Sequence, residues 1–281
     1  LNEDDNGMQD SLAWTAMKMT RQQRIRHMWL CGLSYISMGA LDDAQKALEA
    51  AIELEEKCPE AWALLGHLKF MQGKNIDARN AYQTALPLLE AQSSKPVSLM
   101  TGLVQVYIRL GNLYLEEKEF YGSAKEVYLR CCKRMPSASV WLGVGKACMK
   151  LGSMQEAEEA LAEANIVDNK NPLVWGNLAL VCLKSNPVRN VEADQSVRQA
   201  LKLNLADPSL LHDIGSTYAD NGRFEQAEQL LRRSLAAGGK KSSEARLLLA
   251  KVLQYQNKYE IAIKEYKQVL MGVGSTAANK K

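Results

Sequence analysis

The chain has 281 residues, 47% of them apolar, with 35 Lys and Arg against 32 Asp and Glu for a formal net charge of +3. That is enough apolar side chain for a continuous core. Interleaved charges of both signs argue against nucleic acid or a membrane surface as the main partner. No apolar run approaches the roughly 20 residues that cross a bilayer. No secretory signal is visible, and a chain that begins at Leu1 reads as a piece of something longer.

In chain order, residues 1–24 read as an acidic tail and a capping helix. LNEDDNG is acidic and expected to be disordered; Met8 to about Gln23 is predicted helical, with Leu12, Trp14, Met17 and Met19 on its apolar side. A terminal repeat must cover its open face, which is the reason to expect a cap. Lys18, Arg21, Arg24, Arg26 and His27 form a basic run, read as a solvated face with an acidic contact as the alternative.

Residues 25–90 hold two repeats. Gly32, Gly39, Ala44 and Leu48 are followed one period later by Gly66, Gly73, Ala78 and Tyr82, with Trp62 ahead of them, and Gly32 to Gly66 is 34 residues. Trp62 to Trp175 is 113, three periods plus 11, so residues 91–103 are an insertion around AQSSKP. Leu88, Leu89, Val97 and Met100 predict that helices extend into it from both sides.

Residues 104–274 carry five more repeats. The third shows Gly111 and Ala124, and the fourth Trp141, Gly145, Gly152 and Ala157. The fifth shows Trp175 and Ala193, the sixth Gly215 and Ala227, and the seventh Ala262. Residues 275–281 read as a flexible tail. The fourth repeat is the clearest: Trp141 and Trp175 are 34 apart, heading VWLGVGKACMK and VWGNLALVCLK. Gly152 can end a helix in the left-handed conformation, Ser153 with Glu156 predicts a capping box, and Asn171–Pro172 suits the start of the next helix. The fold expected is all-α: a tetratricopeptide-repeat, right-handed superhelical solenoid of about seven helix pairs with an N-terminal capping helix.

Chemistry is hard to place on this pattern. His27, His67 and His212 have no second His or Cys at ligand spacing, and Gly143–Gly145 is a packing feature inside a helix. No catalytic residue, metal ligand or cofactor site is assigned. The six cysteines contain no C-x-x-C pair and read as small apolar residues in a reducing, intracellular setting, with a regulatory thiol at Cys131–Cys132 left open.

In such solenoids the first helix of each pair lines the inner surface. Groove positions are then Trp29, Leu33, Leu64, His67, Phe70 and Met71 in the first two repeats, and Lys146, Asn177 and Lys184 later. The early set is apolar for a water-facing surface. Either the N-terminal helix occupies it or a partner helix does. Lys146 and Asn177 also suit a co-chaperone clamp for a peptide carboxylate, but Asp213 one repeat on would repel that ligand. Base-by-base RNA reading would need a basic groove that the charge does not supply.

Beyond the period, AWALLGHLKFMQGKNIDARNAYQTAL, LGNLYLEEKEF, CCKRMPSASVWLGVGKAC, EAEEALAEAN and VWGNLALVCLK together resemble the carboxy-terminal repeat region of the cilia- and flagella-associated protein 70 family, over roughly residues 59–184. The resemblance implies a non-catalytic scaffold of the axoneme of motile cilia and flagella, with axonemal proteins as partners and a role in ciliary assembly or beating. The alternative is a soluble adaptor or co-chaperone of the same fold, binding a peptide in its concave groove.

Overall fold

A computed structural model describes residues 19–91, 97–238 and 242–278, which contain fourteen α-helices and no strand. They fall into two compact units that part between Glu117 and Lys118. The first holds α1 (Arg21–Met38), α2 (Leu41–Leu54), α3 (Pro59–Met71), α4 (Asn75–Ala91) and α5 (Val97–Tyr114). The second opens with a 3-10 turn at Lys118–Phe120 and continues with α6 (Tyr121–Arg134), α7 (Ala138–Leu151), α8 (Met154–Val167), α9 (Pro172–Lys184), α10 (Asn190–Lys202), α11 (Pro208–Asp220), α12 (Phe224–Ala237), α13 (Ser242–Tyr255) and α14 (Tyr259–Ala278).

The hairpins follow from one recurring contact. A glycine on the first helix of a pair receives a large side chain sixteen residues later on the second: Gly32 meets Leu48, Gly66 meets Tyr82, Gly145 meets Leu161 and Gly215 meets Leu231. A Cβ at any of the four would lie 2.7–3.0 Å from that side chain, so only a missing side chain lets the helices approach this closely. Ala44, Ala78, Ala124, Ala157, Ala193, Ala227 and Ala262 are all buried on the second helices. Their small size is what the 34-residue pattern encodes.

The tryptophans play a different part from the one their size suggests. Trp62, Trp141 and Trp175 are only half-buried. Trp62 Nε1 donates to Glu56 O at 2.7 Å and Trp175 Nε1 to Asn169 O at 2.8 Å, each fastening its helix to the turn before it. The large side chains fully removed from water are Tyr82, Tyr107, Tyr128 and Tyr218 with leucines such as Leu48, Leu161 and Leu231. An indole has one polar edge that must find an acceptor, which favours the margin of the core over its centre.

Several local expectations need correction. Thr20 is extended (φ −63°, ψ 158°) and closes a capping box with Gln23, so α1 begins at Arg21 and no helix runs from Met8 through Gln23; residues 1–18 of the expected cap lie outside the described residues. Neither half of the Ser153–Glu156 capping box forms. Ser153 (φ −83°, ψ 74°) makes no side-chain cap hydrogen bond, its backbone N–H donates to Cys148 O at 3.0 Å, and the Glu156 carboxylate accepts from Lys125 and Cys148 Sγ. Gly152 does take the left-handed conformation (φ 82°), and Asn171 Oδ1 accepts from Leu173 N at 3.0 Å ahead of Pro172. Around the insertion, α4 and α5 run 17 and 18 residues, where most of the other helices have 13 or 14; the turn at 92–96 is outside the described residues. At the C-terminus the helix persists through Ala278, past the expected start of the tail at 275. No proline stands there to stop propagation.

A ladder of ion pairs ties successive hairpins together. The fifth residue of α4, α6, α8, α10 and α12 is Arg79, Lys125, Glu158, Asp194 and Glu228. Arg79 pairs with Glu117 (3.2 Å), Lys125 with Glu156, Glu158 with Arg189 (2.7 Å), Asp194 with Arg223 (2.8 Å) and Glu228 with Lys258 (2.7 Å). Each bridges about one repeat, and the sign of the fifth residue reverses between Lys125 and Glu158. Most are too exposed to contribute more than about 1 kcal/mol apiece. The Glu158 and Asp194 rungs are both bidentate, Arg189 and Arg223 each donating through both terminal nitrogens, and the Asp194 carboxylate also accepts from Tyr218 Oη at 2.7 Å. The Arg223 guanidinium also lies 5.3 Å from the centre of the Tyr218 ring.

Candidate protein-binding surface

In the first unit α1 packs directly on α3. Trp29 and Leu64 are half-buried against one cluster of Leu48, Leu65 and Leu68, so they anchor the first helices to their hairpins. Leu33, Phe70 and Met71 remain open to solvent, at 41%, 44% and 48% exposure. The apolar face expected from the sequence thus divides into a packed part and a presented part. The presented part is what a partner can touch.

His67 sits between them, half-buried, with Nδ1 enclosed and without a hydrogen-bond partner. Burial, and then the positive charge of Arg109, hold its pKa below the ordinary 6.5. The folded chain therefore takes up this proton later than the unfolded one. Stability contributed by the neutral ring is complete above about pH 6.5 and falls as the unfolded chain protonates below it. His67→Gln should flatten the fall in urea midpoint of the first unit between about pH 7 and 5; an unchanged slope would assign that loss to other groups.

In the second unit the three polar candidates are not assembled into a site. Asn177 is 2% exposed and donates through Nδ2 to Leu173 O at 2.7 Å, within its own helix. Lys146 is half-buried; desolvation lowers its pKa, with Asp207 pulling the other way. Lys184 is exposed at the end of α9. His212 Nδ1 and Asp213 Oδ1 are 3.2 Å apart. A carboxylate clamp needs Lys and Asn side chains free to reach one ligand, and Asn177 is not.

The reason lies in α9. It touches α7, α8, α10 and α11, and its apolar residues face neighbours on nearly every side. Gly176 takes the place after the tryptophan that Leu142 holds one repeat earlier, and a Cβ there would lie 2.7 Å from Leu210 Cδ2 and 3.3 Å from Leu205 Cδ2. First helices α9 and α11 pack closely at that glycine. The signal was in the sequence as VWGNL against VWLGV, but its meaning depends on which helix comes to lie opposite.

Five of the six cysteines are buried, and all six are free thiols. Burial pushes Cys131 up to about 11 and Cys132 to about 12, the latter also through Cys131 beside it. Both thiols are buried and their pKa values are raised, the opposite of what a reactive thiol needs, which argues against the regulatory-thiol reading of this pair. Among the described residues no cluster of three His, Cys, Asp or Glu could hold a metal ion, and no helix is long and apolar enough to cross a membrane.

Comparison with known proteins places this architecture. Among solved structures, a tetratricopeptide repeat protein from Parabacteroides merdae superposes with a TM-score of 0.65 at 18% identity, over 89% of this chain and 93% of that one. A chain of the APC/C hetero-tetramer Cut9–Hcn1 superposes with a TM-score of 0.57 at 18% identity, over 83% of this chain and 43% of that one. At those identities the likeness establishes the tetratricopeptide solenoid fold alone, and a tetratricopeptide-repeat family profile matches residues 28–58 as well. Human cilia- and flagella-associated protein 70 is 40% identical over 171 residues, 61% of this chain. The Macaca fascicularis protein is 50% identical over 109 residues, 39% of the chain. The chain spans only 14% and 10% of the length of these relatives. The profile described as the cilia and flagella-associated protein 70 C-terminal domain matches residues 59–280, most of the sequence, and the chain therefore belongs to that family of tetratricopeptide-repeat domains.

Proposed function

We propose that this chain is a non-catalytic docking scaffold of the axoneme in motile cilia and flagella, holding axonemal proteins together for ciliary assembly or beating. It works inside the cell, in a reducing compartment. The observation that carries the reading is the set of presented apolar side chains Leu33, Phe70 and Met71, on two contacting helices whose Trp29, Leu64, Leu65 and Leu68 are held in the core. Exposed apolar side chains grouped on two adjacent helices favour an amphipathic helix as ligand. Family membership supplies the ciliary setting.

When no partner is bound, the proposed occupant of this face is the chain's own segment 1–18. Its acids Glu3, Asp4, Asp5 and Asp10 complement Arg24 and Arg26 on α1, and its Met8, Leu12, Trp14 and Met17 are apolar. Removal of residues 1–18 should lower the stability of the first unit and raise its affinity for partner helices; unchanged stability would assign the face to partners alone.

The function is tested with the full-length protein on demembranated axonemes. Leu33→Glu, Phe70→Glu and Met71→Glu together should abolish retention while the circular dichroism of the folded chain persists. Retention equal to wild type would overturn the assignment. Trp29 and Leu64 are left intact because they hold the core.

A further inference from the structure

The second helices α2, α4, α6, α8 and α12 each pack against the first helix that follows them. Among the described residues α14 has no such neighbour, and it carries an apolar stripe. Tyr259, Ile263, Tyr266 and Leu270 stand at i, i+4, i+7 and i+11, along one side of the helix. Ile263 is 53% and Leu270 72% exposed. The twelfth residue of every earlier second helix, from Ile52 to Leu235, is buried or half-buried, and Leu270 holds that place on α14. Tyr259 Oη donates to Asn257 Oδ1 at 2.8 Å and Tyr266 Oη to Gln254 Oε1 at 3.2 Å, so the polar end of each is already satisfied within the hairpin.

The stripe is the wrong surface for another repeat of the same kind. On the earlier second helices the fifth residue is polar or charged and bonds to the hairpin that follows: Gln45 accepts from Lys69, and Arg79, Lys125, Glu158, Asp194 and Glu228 form the ion-pair ladder. On α14 the fifth residue is Ile263, which a further rung would leave facing a charge. A second copy of α14 matches it. The stripe is symmetric about a point between Lys264 and Glu265, so an antiparallel copy sets Tyr259 against Leu270 and Ile263 against Tyr266.

The flanking charges fix the direction. Glu260 and Lys267 each follow a tyrosine of the stripe, on the flank opposite buried Ala262 and half-buried Val269. Both are exposed, and neither has a hydrogen bond or ion pair among the described residues. In an antiparallel pair Glu260 of one copy lies beside Lys267 of the other, and the two-fold axis makes the match twice. In a parallel pair Lys267 would face Ala262 and Glu260 would face Tyr255, which answer neither charge.

We infer that α14 is a self-association helix, covered by a second copy of this chain running antiparallel to it, through four apolar layers and two Glu260–Lys267 pairs. The contact belongs to the second unit and uses none of Leu33, Phe70 and Met71, so it stands or falls apart from the docking surface.

The test is analytical ultracentrifugation of the whole chain. A helix pair this short should have a Kd of about 10–100 µM, so the wild type should pass from monomer to dimer between about 5 and 300 µM. Ile263→Glu together with Leu270→Glu should weaken the dimer at least about tenfold. Glu260→Lys and Lys267→Glu each set like charges together twice and should each weaken it by about three- to tenfold. An equimolar mixture of those two charge variants should recover the wild-type affinity, because each supplies the charge that the other now needs. All four positions are exposed, so every variant should keep the wild-type circular dichroism. A wild type still monomeric at about 300 µM, a dimer indifferent to the Ile263 and Leu270 changes or to the single charge changes, or a mixture no tighter than its components would each overturn the inference.

Discussion

Gly143→Ala should destabilise the second unit by about 2–3 kcal/mol, although alanine is the better helix former by about 1 kcal/mol. Gly143 lies on α7 against α6, and a Cβ built there would come within 2.3–2.5 Å of three atoms of the Tyr128 ring. That ring is fully buried and stiff, unlike the end of a leucine, so the helices must part or the ring must leave its place. Overpacking of this kind typically costs 1–3 kcal/mol, and a rigid opposing group puts it at the upper end. The control is Gly102→Ala on α5, where nothing lies within 4 Å of the added carbon and the residue is exposed. There the substitution should stabilise the first unit by about 0.5–1 kcal/mol. Urea titrations of the two variants should move in opposite directions, and in a Tyr128→Leu background the Gly143→Ala cost should fall by at least about 1 kcal/mol. Equal shifts for both glycines would mean that the α6–α7 seam yields more easily than its geometry implies.

Arg223→Met should cost about 2–3 kcal/mol, several times what another rung of the ladder yields. Asp194 would keep its Tyr218 hydrogen bond but lose the bidentate guanidinium while staying largely enclosed. Losing one member of a fully buried pair costs about 3–5 kcal/mol, and the partial exposure of this one lowers the figure. The acid limb of the stability curve gives an independent reading. In the wild type, burial works to raise the Asp194 pKa, but the hydrogen bonds from Arg223 and Tyr218 and the nearby positive charges prevail and hold it below the ordinary 3.8. A depressed folded pKa contributes stability that is complete above 3.8 and lost as pH falls through the lower value. Without Arg223 the burial effect dominates, the folded carboxyl titrates higher, and stability should begin to fall at a higher pH than in the wild type. Arg189→Met also removes a bidentate guanidinium, but the Glu158 rung is more exposed and its carboxylate accepts from no tyrosine among the described residues. The cost there should be about 1 kcal/mol or less, with little change in the acid limb. If the two variants behaved alike, Tyr218 and burial would have no part in the Asp194 rung.

Much of the hairpin architecture was legible because its determinants are local. Gly66 and Tyr82 lie on consecutive helices sixteen residues apart, so a missing side chain and the group that fills its place sit within one short stretch. Gly152 and Asn171–Pro172 mark helix ends by conformations that depend on one or two residues. The same reasoning misjudged Ser153 and Glu156, since the Ser153 N–H is taken by Cys148 O in the preceding turn and the Glu156 carboxylate reaches Lys125 of another hairpin instead. Asn177 was misplaced for a related reason: its helix lies among four neighbours, and a face that looks open on one hairpin is closed by others.

The 34-residue period and helix ends such as Gly152 and Asn171–Pro172 could be read from the order of residues, because each rests on interactions between neighbours in the chain. Which faces stay open and which charges find partners were decided only by how the hairpins stack. Stacking brings together residues about thirty positions apart, such as Asp194 and Arg223, and a side chain's exposure or charge balance is a property of all the helices around it.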